Sequence, residues 1–519
     1  MTRNSLERRK VFLGRLASLP VIAFVVVLAL LSAACNNVNL TGEEKGSGTV
    51  SLAIGDVLTK SVRSAGEPLR QTLAAGTQYT VKARLSGGHT ADTSITIDSG
   101  NLAGAALSFE GIPVGVTVRL DLEVRAGNNL VWIGSTVDDY TVESGENPLT
   151  VNVGRVSGVL LWGGGSRQIL IAPYGSYGSP EKLEYENPAD EGIAFCFDNE
   201  GNVYVQMGTD KPVNKYKIQQ DGTYNATPDA LASDESGQYT FSHLSYDNKT
   251  GVLYGITDTQ IQKLTTSGSE PIIDFSNEGI TPEGFAVHNG IAYVADSFSS
   301  TTSTGSGEEA VVNFYKYDVE NKNLSLRNTI TLPEVFASTN NYASVSQMIY
   351  QEGALYLLLG CVKDSTPNIS SVGAVAKIDD KTLSLDTSFG QGGYLGLVST
   401  EREVSYKDSS GQDQSYSVYA AGNSTDEVFS KPLGFVAIMP KKLVIADAGC
   451  IVSEEIVDQG GMPKLKGDAV SRIVTVDLET QSLGFKDLDP NQYYWTGNPL
   501  GSSVEISSDT SSGTSSSSF

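Results

Sequence analysis

Glu191 and Glu283 each stand directly before a glycine, Gly192 and Gly284, that opens an apolar run, and His243 and Gln347 occupy comparable places at the start of similar runs. Carboxylate, amide and imidazole groups recurring at one place in a repeated unit can converge on a single point. Oxygen donors of this kind suit a hard cation such as Ca²⁺, which takes six to eight of them. Two carboxylates alone are too few, so the four residues form a candidate ligand or metal site in which the metal is undefined. Softer metals have no foothold: His89, His243 and His288 are the only histidines, and none has a neighbour at His-x-x-x-His or Cys-x-x-Cys spacing. No Gly-x-Ser-x-Gly elbow, phosphate loop or dinucleotide fingerprint is present, and Gly163-Gly164-Gly165-Ser166 lacks the lysine a phosphate loop needs.

The elements that must position these residues are strands. The 519 residues carry 60 acidic and 36 basic side chains, a formal charge of −24, which argues against a nucleic-acid partner because duplex binding leans on Lys and Arg. With 39% hydrophobic and 18% charged residues the composition is globular. Fifty-four glycines, and Val, Ile and Thr alternating with polar residues, indicate an all-β chain rich in turns.

Beyond residue 155 one pattern recurs: an apolar strand, a polar turn usually bearing glycine, and a second apolar strand. It is seen at 192–205, 241–258, 282–296, 345–360 and 431–447. A third strand follows at 213–218, 261–264, 313–318, 374–379 and 471–477. A lone sheet of this kind cannot bury both faces, so the units must stack radially. Asp258, Asp296 and Asp447 recur after second strands, where a carboxylate can cap the N–H groups of the next turn. Tyr204, Tyr254, Tyr293 and Tyr356 recur within second strands and suit packing between units. The polar stretches 297–309 and 399–427 read as insertions.

Gly-Ile-Ala-Tyr-Val-Ala-Asp at 290–296 resembles the strand signature of NHL-type β-propellers, and LSLDTSFGQGG at 383–393 is similar to a repeat of bacterial propeller proteins. The resemblance implies a propeller over 156–498, six blades favoured, with 157–175 closing the ring against the carboxy-terminal strands. It places Glu191, His243, Glu283 and Gln347 at the mouth of a central channel, where gluconolactonase-type enzymes of similar architecture hold a metal. Residues 499–519 are Ser, Thr and Gly-rich and predict a disordered tail.

From 48 to 155 the strands alternate with period two, most clearly Thr117 to Arg125, with a turn at Gly127-Asn128-Asn129 and a return from Leu130. This predicts a small β-sandwich. LSFEGIPVGVTVRLDL at 107–122 resembles the core of bacterial immunoglobulin-like and transthyretin-like modules, which implies a spacer.

The first 34 residues hold a basic start (Arg3, Arg8, Arg9, Lys10, Arg15) and an apolar stretch from Leu16 to Ala34, the layout of an export signal helix. Ser32-Ala33-Ala34-Cys35 resembles the lipobox of bacterial lipoproteins, which implies lipidation of Cys35, a flexible tether over 35–47, and a lipid-anchored place in the cell envelope. Cys196, Cys361 and Cys450 are expected as buried thiols, since matching places in separate blades lie too far apart to bridge.

The function these readings favour is a lipid-anchored, non-catalytic binding protein whose propeller recognises a protein, peptide or glycan. No cofactor is expected, with Ca²⁺ the one candidate. The alternatives are a calcium-dependent propeller hydrolase of lactonase or sugar-lyase type, and a structural envelope scaffold.

Overall fold

The computed structural model describes residues 46–488 except 55–60, 63–67, 70–75, 100–104, 164–167, 178–179, 184–192, 208–210, 226, 233–239, 302–307, 337–343, 366–367, 398–401, 408–409, 421–427, 430–431 and 460–461. The signal helix, Cys35, the tether, Glu191 and the tail at 499–519 therefore lie outside the described residues. Among those described, every element is a strand save a 3-10 turn at Glu334–Phe336, and no helix is long and apolar enough to cross a membrane.

Alternation builds the amino-terminal unit. Thr117–Ala126 buries every second residue, placing Val118, Leu120, Leu122 and Val124 in the core and Arg119, Asp121 and Glu123 outside. It pairs with Asn129–Ser135 through a turn in which Gly127 takes a φ of 58°. One layer runs Asn152–Arg155, Asn129–Ser135, Thr117–Ala126, Gln78–Gly87, Ala91–Asp98. A second runs Gly145–Pro148, Ser47–Ala53, Ala106–Pro113, its first pair parallel. Val50, Leu52, Tyr79, Val81, Phe109 and Trp132 share the core between them.

Six sheets follow. Sheet I holds Val159–Gly163, Gln168–Ala172 and Glu181–Lys182. Sheet II holds Ile193–Phe197, Val203–Met207, Val213–Tyr216 and Asp229–Ala232. Sheet III holds His243–Asp247, Val252–Ile256, Gln260–Thr265 and Gly268–Asp274; sheet IV holds Gly284–His288, Ile291–Thr301, Glu308–Asp318 and Asn323–Thr331. Sheet V begins Ser344–Gln351, Ala354–Ser365, Asn368–Ile378, and sheet VI holds Pro432–Met439, Lys442–Gln459, Met462–Asp477 and Leu483–Asp487.

Both faces of these sheets are apolar, so each needs two neighbours. Leu244, Leu253 and Leu264 of sheet III pack with Tyr204 and Val213 of sheet II, while its Tyr254, Ile256 and Ile261 pack with Phe285 and Val294 of sheet IV. Further clusters join IV to V and V to VI, and one cluster joins VI, I and II. The tyrosines pack as their recurrence predicts: Tyr204 stacks on Tyr246 at 5.3 Å and Tyr293 on Tyr350 at 6.3 Å. The fold is all-β and propeller-like.

The polar stretches 297–309 and 399–427 are not simple loops. The first lengthens the second and third strands of sheet IV to 11 residues each. Part of the second forms a hairpin, Arg402–Lys407 with Asp413–Ala420, laid parallel on Asn368–Ile378 through Ser370 and Ser371. Alternating Val and Tyr among serines makes strands despite the polarity, a period-two signal hidden by composition.

Candidate functional site

The first strand of each sheet is an edge strand, and N–H groups on its inner side need acceptors from elsewhere. Side chains of adjacent sheets supply them. Ser245 Oγ accepts from the N–H of Val287 at 2.8 Å, and the Asp247 carboxylate from Asn289 (2.9 Å) and Gly290 (2.8 Å), linking III to IV. Glu283 Oε2 accepts from the N–H of Val345 at 3.0 Å, linking IV to V. Gln347 Oε1 accepts from Phe435 N–H at 2.6 Å, linking V to VI. Ser157 Oγ accepts from Ile438 N–H at 2.8 Å, linking VI to the start of I. Asn248 Oδ1 takes the N–H of Asn199, and Tyr224 of sheet II's margin takes that of Gly158.

Two of the four candidate residues, Glu283 and Gln347, thus belong to a chain of bonds that stitches the sheets together. His243 is buried (5% exposed) at the first position of its strand, opposite Ile256. Burial pushes its imidazole down to about 4, so the ring is neutral near neutral pH. Among the described residues no group of three or more His, Cys, Asp or Glu side chains is placed to hold a metal ion.

The space between the first strands is filled at one level. A methyl added to Gly434 would lie 3.1 Å from Gln347 Oε1 and 3.5 Å from Phe195 Cζ, so first strands of sheets II, V and VI meet there. Phe195 is buried, and its ring stands edge-on to Phe197 at 6.3 Å. A β-carbon at position 434 would press on the Gln347 amide, so glycine eases this approach.

Other polar residues were not visible as a set in the sequence. Asp447 and Arg472 form a fully buried ion pair at 2.8 Å; the guanidinium also donates to Val428 O at 2.5 Å and lies 4.4 Å above the Phe485 ring. Asp447 is therefore a strand-to-strand anchor within sheet VI, not a turn cap. Asp296 is buried too, which pushes its carboxyl up, against the opposing N–H of Thr281. Turn capping falls to a different series. Asp247, Asp318, Asp379 and Asp477 each accept backbone N–H groups two or three residues on, joined by Thr250, Asn321, Thr382 and Thr480. The signal, Asp-x-x-Thr or Asp-x-x-Asn, was readable but sits after first and third strands. Cys196 is free, and burial pushes its thiol well above the usual range.

These features define an all-β, propeller-like protein whose inner polar residues serve its architecture. Neither a family model nor a curated protein matches the chain. Among solved structures, it is similar to a luciferin-regenerating enzyme at 14% identity and a TM-score of 0.24, over 46% of this chain and 80% of that one. It is also similar to a quinonprotein alcohol dehydrogenase-like protein from Bacteroides thetaiotaomicron at 13% identity and a TM-score of 0.28, over 88% and 96%. Likenesses this remote carry no argument about this chain's activity.

Proposed function

We propose that the chain is a lipid-anchored envelope protein in which a six-bladed propeller, carried on a β-sandwich, recognises a protein, peptide or glycan partner without catalysis. The observation that carries this reading is the asymmetry of the hairpins. First strands of sheets II to IV have 5 residues, whereas the second and third strands have 12 and 11 in sheet V and 18 and 16 in sheet VI. At about 3.3 Å per residue a 5-residue strand spans roughly 17 Å and an 18-residue strand roughly 60 Å. The hairpins of sheets IV, V and VI therefore project well beyond the ring, and the strand pair 402–420 packs between those of V and VI.

Antiparallel order puts these second-to-third hairpins on one side of the ring and the first-to-second and third-to-fourth turns on the other. Turns on the second side touch the amino-terminal unit: Pro440 lies against Gly154, and Asp221 O accepts from Asn129. The projecting wall thus lies on the side of the ring away from the amino-terminal unit. A rigid ring with a one-sided wall suits partner recognition. Engagement of Glu283 and Gln347 by neighbouring strands weighs against a calcium-dependent hydrolase built on them.

The test is capture from envelope extracts by the protein beginning at residue 36, with and without chelator, beside a variant in which 451–468 is replaced by a two-residue turn. The reading expects one partner, captured regardless of chelator and lost with the hairpin, at unchanged melting temperature. Capture that survives the shortening, or that needs calcium, overturns it.

A further inference from the structure

We propose that the amino-terminal unit is a clasp that holds the ring of sheets shut, a role beyond, and independent of, whatever the ring binds. Each of the six sheets is made from consecutive strands, and among the described residues no strand of sheet I pairs into sheet VI. The seam between the two ends of the ring is closed only by side-by-side contacts. Ser157 exchanges bonds with Ile438 through both its N–H (3.0 Å) and its hydroxyl, and Tyr174 meets Thr475 at 2.9 Å. The chain itself ties each of the other junctions, whereas no consecutive stretch of chain crosses this one, so it is the first place such a ring would open.

The amino-terminal unit grips both flanks of sheet I. On the sheet II flank, Asn129 Nδ2 donates to Asp221 O at 3.0 Å, and Val131 packs beneath Gly222. Arg155, buried and 4.6 Å above the Trp132 ring, donates to the carbonyls of Gln219 and Gln220; burial lowers its guanidinium to about 10. On the sheet VI flank, Glu479 receives Arg119 at 2.6 Å and Lys441 at 2.7 Å, and Ser135 Oγ accepts from both. These ion pairs span a groove of about 980 Å³ between the outer face of the strand layer and the turns of sheet VI. One body thus holds sheet II and sheet VI at a fixed separation, with sheet I and the seam between them.

Hydrogen exchange of the full chain tests this, using Asn129→Ala with Glu479→Ala, substitutions that remove one hold on each flank and leave both apolar cores intact. The expected result is exchange about ten-fold faster at 157–163 and 432–439, with 284–288 and 344–351, at the junction of sheets IV and V, unchanged. Acceleration confined to 105–155, with the seam unmoved, would make the unit a passenger and overturn the proposal. Equal acceleration at the IV–V junction would also overturn it, because the effect would then be general destabilisation.

Discussion

Gln347 shows how one side chain is fixed by the strand edge it serves. Gln347→Leu keeps the volume but strands the Phe435 N–H, and should cost about 1–3 kcal/mol, read as a lower denaturant midpoint at unchanged slope. Asp447→Asn leaves the Arg472 charge buried without its partner and should cost about 3–5 kcal/mol by the same measurement. His243 gives a pH signature. Its folded value, near 4, lies below the ~6.5 of an unfolded imidazole, so the unfolded chain takes up the proton first. Stability is full above about 6.5 and falls by ~3 kcal/mol as pH drops to about 4. His243→Leu should remove that slope, and because His288 is shifted down as well, the difference between the two proteins isolates it. If the two titrate alike across this window, the buried-neutral assignment fails. Gln347 lies within its strand, Ser344–Gln351, but the places of Glu283 and His243 at strand starts were legible in the sequence. Their engagement was not, because the acceptor's partner lies 62 residues away for Glu283 and 88 for Gln347, and the pairing depends on how sheets abut.

Among elements, the turns after third strands carry the clearest rule. Asp318, Asp379 and Asp477 cap them, and Lys322, Leu383 and Gln481 follow with φ of 52°, 56° and 54°. A side chain in that region costs about 1–2 kcal/mol relative to glycine. Lys322 is exposed, so Lys322→Gly should raise the melting temperature; Leu383 is buried and Gln481 accepts from Gly390 N–H, so their glycine variants should not. Asp318→Ala should lower it, because two hydrogen bonds to Asn321 are lost. Strand pairs such as 243–256 and 284–296 were legible because glycine-bearing turns interrupt apolar runs. The hairpin at 402–420 was not, since its serines and charges mask an alternation that only pairing with sheet V makes evident.

For the whole molecule, charge sets the relation to a membrane. A chain at −24 is repelled by anionic lipid, and removing residues 1–34, with five basic side chains and one acidic, deepens the imbalance. Protein beginning at residue 36 should not sediment with phosphatidylserine vesicles at low salt, whereas, on the proposed reading, protein beginning at a lipidated Cys35 should. Sedimentation of the unacylated form would show a membrane-binding surface that charge alone forbids.

Because each of the six sheets after the amino-terminal unit is drawn from one uninterrupted stretch of chain, synthesis from the amino end delivers them in order, and the flank of sheet I bearing Val159, Leu161 and Ala172 meets its last neighbour only when residues 432–487 arrive. Until then the growing chain presents a greasy open arc to its surroundings. A ribosome stalled before residue 432 should therefore display a nascent product that chaperones grip tightly, and release of that grip should coincide with emergence of the final sheet.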